Sequence, residues 1–218
     1  SGSNEVGGIA GSAKGCTDGN AIISDCTNEG AVSGNDEVGG IVGYAIQQSA
    51  IINCKAESSG EIQSYGKYTG GIVGYLEDSV INECLSNVTI SGLDYTGGVV
   101  GYAKNSYISN CSRFLGTVTG EYMVGGIIGD ANKGEVSNCT NEGAVNGNYR
   151  IGGIIGDSDH VDAISDCTNE GAVSGSKYVG GMVGYAYHID AISNCTNEGA
   201  VTGSSDVGGI VGYAFYGN

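Results

Sequence analysis

A short glycine-rich string returns eight times along this chain, and that periodicity restricts the fold more than any other feature. Glu5-Val6-Gly7-Gly8-Ile9-Ala10-Gly11 recurs at Val38 to Gly43, Thr69 to Gly74, Thr96 to Gly101, Val124 to Gly129, Ile151 to Gly156, Val179 to Gly184 and Val207 to Gly212. The first glycine of each pair stands at 7, 39, 70, 97, 125, 152, 180 and 208, so the repeat stays between 27 and 32 residues. Between the copies runs Ile-x-x-Cys, followed in the better repeats by Thr-Asn-Glu-Gly-Ala-Val-x-Gly, as at Cys139 to Gly147, Cys167 to Gly175 and Cys195 to Gly203. Self-similarity at such a period marks a repeat architecture.

Each repeat offers three short segments of β type, Val-Gly-Gly-Ile-Val-Gly-Tyr, Ala-Ile-Ser-Asn-Cys and Gly-Ala-Val-Ser-Gly, separated by Asn, Asp, Ser and Gly. Val, Ile, Thr and Tyr favour strand, and no window sustains helical periodicity. None of the segments buries an apolar face alone, so neighbouring repeats must stack. The expected fold is an all-β parallel β-solenoid (β-helix) with about 28 residues and three short strands per coil, seven full repeats and a partial eighth, beginning near 5, 37, 68, 95, 123, 150, 178 and 206. Residues 1–218 then form a single repeat domain. In-register stacking at about 4.8 Å per coil gives a rod of roughly 35 to 40 Å, and the rule for parallel crossovers predicts a right-handed coil. The predicted core ladders are Ile9, Ile41, Ile72, Val99, Ile127, Ile154, Met182 and Ile210, and Val32, Ile62, Ile90, Val118, Val145, Val173 and Val201. The paired glycines imply either a positive φ or a close backbone approach. Alternation along that strand predicts two apolar faces, one of them packed on a loop or a partner.

Composition narrows the function classes. With 42 Gly, no Pro and no Trp in 218 residues the chain departs from ordinary globular usage, while 40% hydrophobic residues argue against disorder. The formal charge of −16, from 24 acidic against 8 basic residues, excludes a nucleic-acid partner and an anionic membrane surface. No apolar run approaches the roughly 18 residues of a membrane helix, so no membrane insertion is expected.

The strings Gly-Ile-Val-Gly, Gly-Val-Val-Gly and Gly-Met-Val-Gly inside Val-Gly-Gly repeats resemble the GLUG motif of bacterial surface and secreted proteins, with Ile, Val or Met where Leu is usual. The resemblance covers nearly the whole chain. It implies an extracellular or bacterial cell-surface location and a place in a large adhesin-like protein or beside the catalytic domain of an immunoglobulin A-cleaving metallopeptidase. It supplies no catalytic residues.

Four residue sets call for a chemical reading. Cys26, Cys54, Cys84, Cys111, Cys139, Cys167 and Cys195 occupy one position per repeat, with Cys16 off the ladder. Spacings near 28 fit no zinc-finger pattern, and parallel Cβ vectors on stacked strands disfavour disulfides, so buried thiols are expected. A tyrosine ladder, Tyr44, Tyr75, Tyr102, Tyr185 and Tyr213, is interrupted by Asp130 and Asp157, and Tyr68, Tyr95 and Tyr178 precede the glycine pairs. Such rings either bind a ligand by stacking or cap a core edge. His160 and Asp162 stack on His188 and Asp190 one coil later. Two imidazoles and two carboxylates near 5 Å apart are a possible transition-metal set, although duplication of near-identical repeats produces the same register. The reading is therefore of no metal site and no cofactor, with these four the candidate set if a divalent cation binds. Glu29, Glu142, Glu170 and Glu198 recur in a turn, where calcium is the alternative to simple solvation.

No Ser-His-Asp set, carboxylate pair or phosphate loop is defensible, so no catalytic residue is assigned and the expected function is non-catalytic: a structural or adhesive module of a bacterial surface protein. Its partners would be a host or cell-surface glycan or protein. The alternative is a carbohydrate-binding or carbohydrate-active β-helix. A start on a repeat at Glu5 and a stop within a coil at Asn218 predict excision from a larger parent protein.

Overall fold

The computed structural model describes residues 1–15, 21–113 and 116–216; Cys16 and Asn218 lie outside them. Parallel strands stack coil upon coil into three sheets of eight, 13 and 12 strands. The first sheet holds one strand per coil, from Asn4–Gly7 through Asp36–Gly39 to Ser205–Gly208. Equivalent residues pair across all eight coils, Gly7 with Gly39, then Gly70, Gly97, Gly125, Gly152, Gly180 and Gly208. The register is therefore the sequence repeat itself.

The three segments expected per coil become five strands. In the seventh coil they are Lys177–Gly180, Val183–Tyr187, Ala191–Ser193, Thr196–Asn197 and Val201–Thr202. The glycine-rich segment is not one flat strand, because it bends between the second glycine and the following aliphatic residue. That bend overturns the expectation of two apolar faces. Val38, Ile41 and Val42 are all fully buried, so the corner turns the whole apolar set inward and leaves no outer apolar face to be covered. The corner is held by one carbonyl accepting two N–H groups from the preceding coil, as when Ile154 O accepts from Ile127 N at 3.0 Å and Ile128 N at 2.9 Å.

The paired glycines serve close approach. Among the described glycines only Gly116 and Gly134 have positive φ. A Cβ on Gly125 would lie 1.9 Å from Ile128 O, and one on Gly126 would lie 2.1 Å from Gly153 O. Only hydrogen fits there.

Left-handed backbone appears elsewhere, at three non-glycine rows. One precedes the cysteines: Asp25, Asn53, Glu83, Asn110, Asn138, Asp166 and Asn194, with φ between 50° and 56°. A second includes Gln48, Asp78, Asn105, Lys133, His160 and His188. The third precedes the glycine pairs: Glu5, Glu37, Tyr68, Tyr95, Met123, Arg150, Tyr178 and Asp206, with φ between 50° and 64°. The row before the cysteines turns the chain between strands, whereas the third row lies inside the first strand of each coil, where the pairing passes from Asn4 to Val6 and skips Glu5.

The core follows the predicted ladders. Ile41, Ile72, Val99, Ile127, Ile154 and Met182 are fully buried, whereas Ile9 and Ile210 in the end coils are 46% and 39% exposed. A further row, Ile51, Ile81, Ile108, Val136 and Ile164, fills a second side. The seven described cysteines are free thiols, Cys26 and Cys195 partly exposed and the rest buried. Each donates to the carbonyl two residues back, at 3.1 to 3.5 Å. Hydrogen bonding of the Cys111 thiol toward Cys139 and Cys84, together with burial, holds it well above its ordinary range.

The Thr-Asn-Glu-Gly turn is polar on both sides. Its glutamates are exposed, as expected, but its asparagines form an internal ladder in which Asn141 Nδ2 donates to Asn169 Oδ1 at 2.7 Å and Asn169 Nδ2 to Asn197 Oδ1 at 2.8 Å. Arg113 pairs in register with Ser86 and Asn141 and is fully buried in that row.

Candidate functional site: a face of tyrosines and aspartates

Side chains alternate along the second sheet, so Ala45, Leu76, Ala103 and Ala131 point inward and their predecessors point out. The outward row runs Ser12, Tyr44, Tyr75, Tyr102, Asp130, Asp157, Tyr185, Tyr213 in register. The sequence-predicted ladder and its two-aspartate interruption are thus one continuous row. Beside it lies the left-handed row, seven residues earlier in each coil.

The two rows interlock into a ring cluster at one end. Tyr44 stacks on Tyr75 at 4.9 Å between centroids, and Tyr75 meets Tyr102 at 5.2 Å with the rings tilted by 30°. Tyr68 meets Tyr75 edge-on at 5.4 Å and Tyr95 at 4.9 Å, and Tyr95 meets Tyr102 edge-on at 5.9 Å. A second cluster joins Tyr178, Tyr185 and Tyr213, with Tyr185 stacked on Tyr213 at 5.3 Å. Offset and edge-on geometries at these separations suit the ring quadrupole. Burial, with Asp130 nearby, pushes the Tyr102 phenol up to about 12. The Tyr75 hydroxyl donates to Glu77 at 3.0 Å, and Lys104 forms an ion pair with Glu77 at 2.6 Å that lowers the Glu77 pKa.

Between the clusters lies a cleft of about 310 Å³ lined by Met123, Asp130, Asn132, Arg150, Asp157, Asp159, Tyr185 and Tyr187. Arg150 Nη1 donates to Asp157, and the guanidinium carbon sits 4.4 Å above the Tyr185 ring. Asp157 is only 6% exposed; burial raises its pKa, and Arg150 opposes that rise. Asn132 Nδ2 donates to Asp159 at 2.8 Å, and Asp159 also pairs with His160 Nδ1 at 2.5 Å. Asp130 is raised well above the usual carboxylate range by burial and by the charges of Asp157 and Asp159. Sequence reasoning read the aspartates as a break in a platform and did not single out Arg150. The available signal was its place seven residues before Asp157, where Tyr178 precedes Tyr185.

The histidine candidates come together only in part. His160 and His188 stack face to face at 4.7 Å with 16° between planes, and both line a separate cleft of about 450 Å³ with Asp162, Asp190, Asn105, Tyr107, Lys133 and Gly134. Among the described residues no group of three or more His, Cys, Asp or Glu side chains converges as a metal would require. Nor is any helix of the described residues long and apolar enough to cross a membrane.

Comparison with known families gives matches to the GLUG motif at residues 34–59 and 175–202. No curated protein and no solved structure matches the chain.

Proposed function

On the premise that this chain carries GLUG-motif repeats in a β-solenoid, we propose that it is the extracellular stalk or ligand-displaying rod of a bacterial surface protein, a non-catalytic structural and adhesive module. One observation supports display over mere spacing. The left-handed row before the cysteines is filled almost entirely by Asn and Asp, the side chains that tolerate positive φ. The equivalent row on the outer face carries Tyr68, Tyr95, Met123, Arg150 and Tyr178, for which that conformation costs of order 1 to 3 kcal/mol each. Rings and a guanidinium are held there against backbone preference, beside a second row of rings. Such residues, held at positive φ through the middle coils of one face, support a surface used for contact.

A second reading has its own support: stacked tyrosines along a flat sheet suit a glycan. The test of both is a binding screen against host and plant glycans, mucin and extracellular-matrix proteins. A hit lost in Tyr75→Ala and Tyr102→Ala establishes an adhesive face, and its chemistry separates glycan from protein. A silent screen with the folded rod removes the adhesive role and leaves a spacer.

A further inference from the structure

The corner between the second and third strands of each coil is not uniform. In three coils six positions separate the outward residues of the two strands, from Tyr44 to Ala50, Asp157 to Ala163 and Tyr185 to Ala191. In the three coils between them the same step takes five, from Tyr75 to Val80, Tyr102 to Tyr107 and Asp130 to Glu135. Short corners set between longer ones leave a notch. Two clefts of about 530 and 450 Å³ run along it and meet at Asn105 and Tyr107. Gly134 keeps one of the short corners tight: its φ is 100°, and a Cβ there would lie 2.0 Å from Ser106 O.

Tyr107 stands where the clefts meet, 52% exposed, with Val80 and Glu135 as its neighbours in register. Among the described residues no other ring contacts it, whereas the rings of the tyrosine rows lie against one another. Its ring is therefore uncovered. The corner row beside it offers a hydrogen-bonding side chain in every coil: Gln48, Asp78, Asn105, Lys133, His160 and His188. Asn105 Nδ2 donates to Asp78 Oδ1 at 3.1 Å, which fixes an amide and a carboxylate side by side.

We propose that this notch binds an uncharged oligosaccharide laid along the rod axis, with one pyranose packed on Tyr107. The C–H face of a pyranose suits the negative face of an aromatic ring, and an adjoining amide and carboxylate accept and donate to neighbouring hydroxyls. Coils repeat at about 4.8 Å, close to the length of one β-1,4-linked pyranose, so successive sugars meet successive corner residues. The net charge of −16 disfavours sulfated and uronate sugars. This site is separate from the tyrosine rows, and the readings made of them stand or fall independently.

The probes are cellohexaose and N-acetylchitohexaose, each with its dimer, titrated into the intact chain by calorimetry and NMR. At least one hexamer should bind saturably and at least tenfold tighter than its dimer, with the largest amide shifts at Asn105, Tyr107 and Lys133. Tyr107→Ala should weaken binding at least tenfold, with circular dichroism confirming that the exposed substitution leaves the fold intact. Tyr107→Phe, which keeps the ring, and Tyr75→Ala, in the tyrosine rows, should leave it unchanged. No saturable binding of either hexamer, equal affinity for hexamer and dimer, or undiminished binding in Tyr107→Ala would each overturn the assignment. Binding lost in Tyr75→Ala but kept in Tyr107→Ala would also overturn it, and would move the sugar to the tyrosine rows.

Discussion

Replacing Arg113 with Asn should stabilise the protein. The side chain is fully buried within the internal polar row, and Nη1 donates to Asn141 Oδ1 at 2.8 Å. Among the described residues its Nε and Nη2 have no partner, and burial pushes its pKa down to about 10, which leaves it charged at neutral pH. Two buried donors without acceptors cost about 1 to 3 kcal/mol each, so roughly 4 kcal/mol together. Asn gives up about two methylenes of buried stem, near 1.6 kcal/mol. It can still donate to Asn141, in the manner of Asn141 to Asn169. The difference is a gain of about 2 kcal/mol. For a chain of this size that corresponds to a rise of roughly 4 to 8 °C in Tm, measured by circular dichroism and checked by the urea midpoint. Arg113→Met separates charge from volume: it keeps the stem, removes the donors, and should also raise Tm. A fall in Tm for both variants would refute the claim that the guanidinium is uncompensated.

Two further perturbations test the packing and the electrostatics. Gly126→Ala places a Cβ 2.1 Å from Gly153 O and 2.5 Å from Asn141 Cγ, and is expected to destabilise by about 3 kcal/mol. Gly209→Ala, at the same repeat position but with nothing within 4 Å, should be nearly neutral; equal costs in urea unfolding would count against close approach as the reason for the glycine pair. Asp130 has a raised pKa in the folded protein, so its ionisation opposes folding. Below the unfolded-state pKa the group is protonated in both states and contributes nothing; as pH rises toward the folded-state value stability is lost, and the penalty is fully present above it. Asp130→Asn should therefore raise Tm at pH 7 and leave it unchanged at pH 3. A stabilisation that is the same at both pH values would show that the charge is not responsible.

The ladders were legible because the parallel register repeats the sequence period: once Gly39 pairs with Gly70, Tyr44 must meet Tyr75 and Val32 must meet Ile62. The corners were not. Positive φ is suggested by Asn or Asp, which marks the row at Asn53, Asn110 and Asn138, but nothing in Tyr68, Met123 or Arg150 announces it. The glycine pair, the most visible signal in the chain, left positive φ and close approach open, because either demands a residue without Cβ; the structure selects close approach. Asn141 looked like part of a solvated turn because its neighbour Glu142 is exposed; one residue of offset puts the two on opposite sides of the wall. The approach of Arg150 to Asp157 depends on how the third left-handed row folds back over the second sheet, and spacing alone does not contain that geometry.

The pairs formed by those two rows also explain where coils differ. Within a coil, the residue before the glycines and the outward residue seven positions on face each other, as Tyr68 with Tyr75, Tyr95 with Tyr102 and Tyr178 with Tyr185 do at 5.3 to 5.9 Å. Ring with ring becomes cation with anion at Arg150 and Asp157, while toward the ends an acidic residue precedes the ring, Glu37 before Tyr44 and Asp206 before Tyr213. Met123 stands in the position of the cation in the coil of Asp130, and both line the same cleft. The coil of Asp130 lies directly beside that of the Arg150–Asp157 pair, so two carboxylates of one row share a single guanidinium at the cleft, and that sharing is why burial and the neighbouring charges keep the Asp130 pKa high.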